Sequence, residues 1–170
     1  VASSSAEGSS EEHAVDDLPA TVWQSGVEDL LPRLTMDLGA MHEWGGLVLD
    51  WADAAPDSYR VLVSNDGLRW STRRLVLGSD GARDYLYLPE SESRQVAIEW
   101  PAALGSSASP SNATSARARP AIREIKVQPL DWSKSREVLF EAIARDLPRG
   151  TLPRGMSGEQ SYWTLVGGDN

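Results

Sequence analysis

The sequence predicts an all-β protein, an antiparallel sandwich that ends in one helix and an extended tail. Three observations predict it. Short runs of alternating apolar and polar residues recur along the chain, with turn-forming residues between them. Two of these runs, Ser58 to Ser64 and Trp70 to Leu77, are joined through Asn65-Asp66-Gly67, residues that tolerate the positive φ of a tight hairpin. After Pro129 the apolar spacing changes to that of a helix.

The elements follow in order. Val1 to Glu12 consists almost wholly of Ser, Ala, Gly and Glu, has little to bury, and reads as a disordered leader. His13 to Trp23 is a loop into the domain, and Pro32 limits any helix between Gly26 and Arg33. Leu34, Met36 and Leu38 give a half-buried strand closed by Gly39. Trp44 to Trp51 is the next strand, with Leu47, Leu49 and Trp51 on one face. Asp53 to Asp57 is a polar loop before the hairpin, and Gly78 to Gly81 is a turn after it. Asp84 to Leu88 and Val96 to Trp100 are further strands, the second stopped by Pro101.

Ala102 to Pro120 has no periodicity and reads as a surface excursion or a functional loop. Ile125 and Val127 close the sheet. Leu139, Ile143 and Leu147 then share one helical face, and Pro148 ends the helix. The domain is therefore expected over residues 13–130. Residues 131–170 are read as a helix and linker leading to a downstream domain.

Composition removes several function classes. A formal charge of −9 argues against nucleic acid and anionic membranes, both of which need a basic footprint. No apolar run is long enough to span a bilayer. Cysteine is absent, which rules out disulfides, thiolate zinc sites and cysteine nucleophiles. His13 and His42, the only histidines, belong to no nucleophile–base–orienter arrangement, and no Gly-rich phosphate loop opens a helix. The chain reads as a non-enzyme.

Five segments carry a resemblance. They are Ala14 to Trp23, Leu34 to Gly39, Gly45 to Trp51, Ser58 to Trp70 and Ala121 to Val127. Their order and spacing resemble the discoidin, or coagulation factor 5/8 type C, domain family, over roughly Asp16 to Pro129. The resemblance implies an eight-stranded, galactose-binding-like jelly roll. Many members are carbohydrate-binding modules of bacterial glycoside hydrolases. It therefore implies a secreted or periplasmic protein that binds a glycan and delivers an attached catalytic domain to it. The rival expectation is a structural domain that docks against a helical catalytic domain without a ligand of its own.

The resemblance also implies a structural calcium. In the family, a loop before the first core Trp and a Glu near the last strand hold it. Here Asp16, Thr21 and Glu124 fill those positions, with Leu18 where Asp or Asn is usual and Asp17 in place of a frequent Gly. Calcium takes carboxylate, hydroxyl and carbonyl oxygens, so this set suits it. The other reading of the same residues is a solvated acidic turn, with Glu124 paired to a nearby Arg. For the sugar, Trp23, Trp70 and Trp100 fall where the family has core rings, and Trp44 and Trp51 read as core. The expected site lies at one end of the sandwich, at Asp53, Arg83 and Tyr85.

Overall fold

Two long strands carry the structure, a computed structural model that describes residues 1–52, 58–77, 79, 83–101 and 119–146. They are β2 (Arg33–Trp51) and β5 (Arg83–Glu99). Around them lie β1 (Trp23–Gln24), β3 (Ser58–Ser64), β4 (Ser71–Leu77) and β6 (Ala121–Gln128), and α1 (Arg136–Asp146) follows. The sheet order is β1-β6-β2-β5-β3-β4, with every pairing antiparallel.

The eight expected strands appear as six among the described residues. The segments at 34–38 and 44–51 are one strand, and those at 84–88 and 96–100 are another. The ladder between them slips between Asp37 and His42 and again between Trp44 and Gly46. Gly39 (φ 82°) and Glu90 (φ 54°) mark these irregularities, where the backbone bends as at a β-bulge. On one side of the bend β5 pairs with β3, and on the other β2 pairs with β6.

The ribbon thereby turns its two halves into the two layers of a sandwich. Leu34, Val61, Val76, Val96 and Ile98 of one layer share a core with Leu47, Leu49, Leu86, Ile122 and Ile125 of the other. This is the antiparallel sandwich that the alternation predicts, in the layout that the resemblance implies.

Trp23, Trp51 and Trp100 fill one end of the core, with ring centroids 5.7 Å (Trp23–Trp100) and 6.1 Å (Trp51–Trp100) apart. Beneath them the buried Asp84 accepts from Trp51 Nε1 (2.9 Å), Tyr59 Oη (2.7 Å) and Ser79 Oγ (2.6 Å). A buried carboxylate needs such donors to be tolerated. They tie together the strand ends that flank residues 53–57 and 78–82. Trp70 departs from the expected core ring: it is half-exposed, with the Arg33 guanidinium 3.9 Å from its ring centroid.

The leader differs from its expected disorder. Ala2 bridges Leu34, Ser3 N donates to Arg33 O (2.8 Å), and Ala6 N donates to Gln24 O (2.8 Å). The first half of β2 has a free edge whose backbone groups need partners, and the leader supplies them. Small Ser and Ala side chains lack the bulk to drive burial but allow a close backbone approach. Asp53, residues 102–118, and Leu147 with the tail beyond it lie outside the described residues. No helix among the described residues is long and apolar enough to cross a membrane.

Candidate functional site

The outer face of the β5–β2–β6 layer is a grid set by register. Asp50 pairs with both Arg83 and Glu124, Val48 with Tyr85 and Lys126, and Gly46 with Tyr87 and Gln128. Side chains two apart on a strand share a face. Glu124, Lys126 and Gln128 therefore stand in a polar row along β6, opposite Arg83, Tyr85 and Tyr87 on β5.

Two elements cover part of this grid. Helix α1 buries Leu139 and Ile143, an i,i+4 pair, against Val48, Tyr85, Tyr87 and Trp132. Ser135 Oγ accepts from Val138 N (3.3 Å), which caps the first turn. Before α1, a single 3₁₀ turn (Leu130–Ser133) lays Trp132 over Gly46. A Cβ on Gly46 would lie 2.8 Å from Trp132 Cε3 and still closer to the Leu86 carbonyl oxygen. One on Gly45 would lie 2.7 Å from Pro129 O. The Gly45-Gly46 pair is thus the seat of this turn.

Between α1, Trp132 and the β6 row lies a cavity of about 430 Å³. Half-buried Trp132 and buried Tyr85 form its aromatic side, and Asp50, Arg83, Glu124 and Lys126 its charged side. Arg83 is held through Nε (2.9 Å) and Nη2 on Asp50, which leaves Nη1 to bond Asp146 Oδ2 at 2.7 Å. The Asp50 bonds raise the guanidinium further above its ordinary value. Tyr85 Oη donates to the same Asp146 oxygen at 2.7 Å. Burial, helped by that bond, pushes the Tyr85 hydroxyl up to about 12, so it stays a donor.

The sequence matches the family model for the F5/8 type C domain over residues 1–139. The chain belongs to the F5/8 type C domain family. Its fold is similar to chitosan-binding module 2 of a chitosanase/glucanase from Paenibacillus sp. IK-5, solved with chitotriose (23% identity, 75% of this chain and 93% of that chain, TM-score 0.62). It is also similar to a CBM32 module from Clostridium perfringens, solved with GalNAc-β-1,3-galactose (17% identity, 75% and 92%, TM-score 0.59). A Ruminococcus gnavus GH29 fucosidase matches at 20% identity over 75% of this chain but only 24% of its own, with a TM-score of 0.60. At these identities the likeness is one of fold. No curated protein matches the sequence.

In this F5/8 type C domain, Arg83 and Tyr85 lie side by side in the cavity, and Glu124 lines it with them. The sequence reading put these three in two separate sites; the register makes them one face. It missed Asp50, Lys126, Trp132 and Asp146. The spacing of Glu124, Lys126 and Gln128 on a strand was the available signal for Lys126.

The loop expected to hold a cation does meet the last strand. Glu124 Oε2 accepts from Asp17 N (2.9 Å), and Lys126 Nζ pairs with Asp17 Oδ1 (2.6 Å). The bond to Glu124 thus comes from a backbone amide rather than an arginine. Asp17 has φ 58°, a left-handed conformation that explains why a Gly suits the position. Thr21 Oγ1 lies 2.9 and 3.0 Å from the two Asp16 oxygens and 2.8 Å from Leu18 O. One hydroxyl proton cannot serve three acceptors, and a hard cation among these oxygens would.

Leu18 turns its carbonyl toward Thr21 while its side chain is 54% exposed. Among the described residues no three His, Cys, Asp or Glu side chains gather. The oxygen set is therefore mixed, which fits calcium better than a transition metal. Burial pushes Glu124 above its ordinary 4.5, and the neighbouring Asp17 and Asp16 carboxylates push the same way against the Asp17 amide.

Proposed function

We propose that this domain is a non-catalytic glycan-binding module and that the cavity beside Trp132 receives the sugar. The observation that carries the proposal is an aromatic wall facing a row of polar groups. The apolar face of a pyranose packs on a ring, and planar polar side chains read its hydroxyls. About 430 Å³ lies within the usual range for small-ligand sites, roughly 300–1,000 Å³. In mechanism the domain would bind weakly and reversibly, raising the local concentration of a tethered, extracytoplasmic enzyme at its polysaccharide. The fucosidase in which a similar fold occupies about a quarter of the chain supports that tethered arrangement.

Affinity electrophoresis against plant, fungal and animal glycans tests the proposal. Retardation by at least one glycan is expected, with Trp132→Ala weakening it by roughly tenfold, about 1.4 kcal/mol. Binding unchanged by Trp132→Ala would move the sugar elsewhere.

A second reading rests on the crowded Thr21 hydroxyl. We propose that Asp16, Thr21, the Leu18 carbonyl and Glu124 hold a calcium ion that clamps the 16–21 loop to β6. Binding only the folded state would add about 2.7 kcal/mol at a hundredfold excess over Kd. Millimolar calcium should then raise Tm by several degrees, and chelator should reverse it. Glu124→Gln should remove most of that shift. A melting curve indifferent to calcium in both proteins would sink the cation.

A further inference from the structure

Asp146 sits where a ligand would. It is the last residue of α1, a poor place for an anion because the helix dipole is negative there. Yet its Oδ2 takes two bonds of 2.7 Å, from Arg83 Nη1 and from Tyr85 Oη. Both donors belong to β5, and Asp50 orients the guanidinium from behind through Nε and Nη2. The donor pair is therefore built by the sheet, and only the acceptor comes from the helix. A guanidinium and a phenol aimed at one oxygen is a carboxylate-recognition geometry.

We infer that Arg83 and Tyr85 form a carboxylate subsite that Asp146 fills in the free protein, so that the cavity takes a glycan bearing a carboxylate, which displaces Asp146. This rests on the glycan reading above. Exchange of one carboxylate for another leaves the charge on Arg83 and Asp50 unchanged. Lys126, whose ammonium is paired with Asp17, lines the same cavity and lies within the field of Asp146. What opposes the exchange is the packing of α1, which has two fully buried side chains, Leu139 and Ile143. The helix is thus light enough to be lifted at its C-terminal turn. The apparent affinity is set by the fraction of molecules in which Asp146 is off the pair.

The test compares a galacturonic acid trimer with its methyl ester, which has the same rings without the charges. The acid should bind the wild-type chain several-fold more tightly than the ester. It should also speed amide hydrogen exchange over 136–146, a readout that needs no variant. Asp146→Asn should tighten the acid by about three- to tenfold, because the internal competitor has lost its charge. In that background Tyr85→Phe should weaken the acid by about tenfold and the ester by much less, because the ring stays and only the hydroxyl is lost. If acid and ester bind alike in both proteins and α1 exchange does not respond, the carboxylate subsite is overturned while the glycan reading stands. If neither trimer binds and no other glycan retards the protein, both readings fail.

Discussion

The two outer faces of the sandwich each carry one half-buried tryptophan and one row of three charged residues, yet they use them differently. On the β3–β5–β2 face the row is Arg60, Glu99 and Arg33, one acid between two bases. Glu99 is nearly buried and bonds Arg60, with Arg33 Nη1 at 3.7 Å, while Trp70 lies against the Arg33 guanidinium. On the opposite face the row is Arg83, Asp50 and Glu124, one base and two acids. Arg83 neutralises Asp50 and leaves Glu124 with a backbone amide. Trp132 there packs in the Tyr85–Leu139–Ile143 cluster and also borders a cavity. The first face pairs its charges among its own residues, although Arg33 Nη2 and Arg60 Nε stay buried without a hydrogen-bond partner among the described residues. The second keeps a carboxylate and a ring wall in hand, which is what a binding surface requires.

The largest expected effect tests how Trp132 is seated. Gly46→Val would push a β-branched side chain into the Leu86 carbonyl and the Trp132 ring at once. Overpacking against backbone should destabilise the domain by about 2–3 kcal/mol and release Trp132 to solvent. A lowered urea midpoint with red-shifted tryptophan emission is the expected result. An unchanged midpoint and spectrum would show that the two elements are not in contact.

Next comes the same substitution on the two rows, measured in chelator. Glu99→Gln leaves two partly buried guanidinium groups facing each other and should cost about 2 kcal/mol, since removing one partner of a shielded pair exposes the other's desolvation. Glu124→Gln removes a charge that burial already disfavours. It should be neutral or slightly stabilising near pH 7. Equal losses from both substitutions, read as urea midpoints, would erase the distinction between the faces.

Much of this was legible in the sequence, and what was hidden has physical causes. Alternation located the segments of β2 to β6 but not β1, whose Trp23 was read as the end of a loop, and Gly67 does take φ 73° in the hairpin. Alternation cannot show that two segments are one strand, because the residues at a bulge lose their period. Ser91 and Ser93 look like loop residues but are buried, and Ser93 Oγ accepts from Trp44 Nε1 at 3.1 Å. The leader was misjudged because backbone pairing leaves no trace in side-chain hydrophobicity. At the site, Arg83, Tyr85 and Glu124 were readable singly. Asp50 became their shared neighbour only through a register that the sequence does not print. Trp132 and Asp146 lie in a segment whose change of period suggested a separate unit, although its Leu139 and Ile143 are covered by the sheet.

The smallest effect is a pH signature that distinguishes two carboxylates of the second face, Asp146 bonded to Arg83 and Glu124 at the other end of the row. Burial raises Asp146, but its bonds from Tyr85 and Arg83 outweigh burial and hold the carboxyl below its ordinary 3.8. An acid with a depressed folded-state pKa stabilises the fold at pH above its unfolded value, and that stability fades as pH falls through the folded one. Its side chain is 45% exposed, so screening keeps the contribution below about 1 kcal/mol. Glu124 has the opposite sign. Its folded pKa lies above 4.5, so the ionised form costs stability at neutral pH, and the cost disappears as the group takes up a proton on acidification. Urea midpoints between about pH 3 and 7, in chelator, should therefore show two different gaps from wild type. The wild-type advantage over Asp146→Asn should be constant above about pH 5 and close below about pH 4. Any advantage of Glu124→Gln over wild type should be present near pH 7 and shrink as pH drops toward 4.5. Calcium would remove the second gap alone, because a cation favours the ionised carboxylate. Parallel curves for all three proteins would mean that neither carboxylate feels the surroundings assigned to it here.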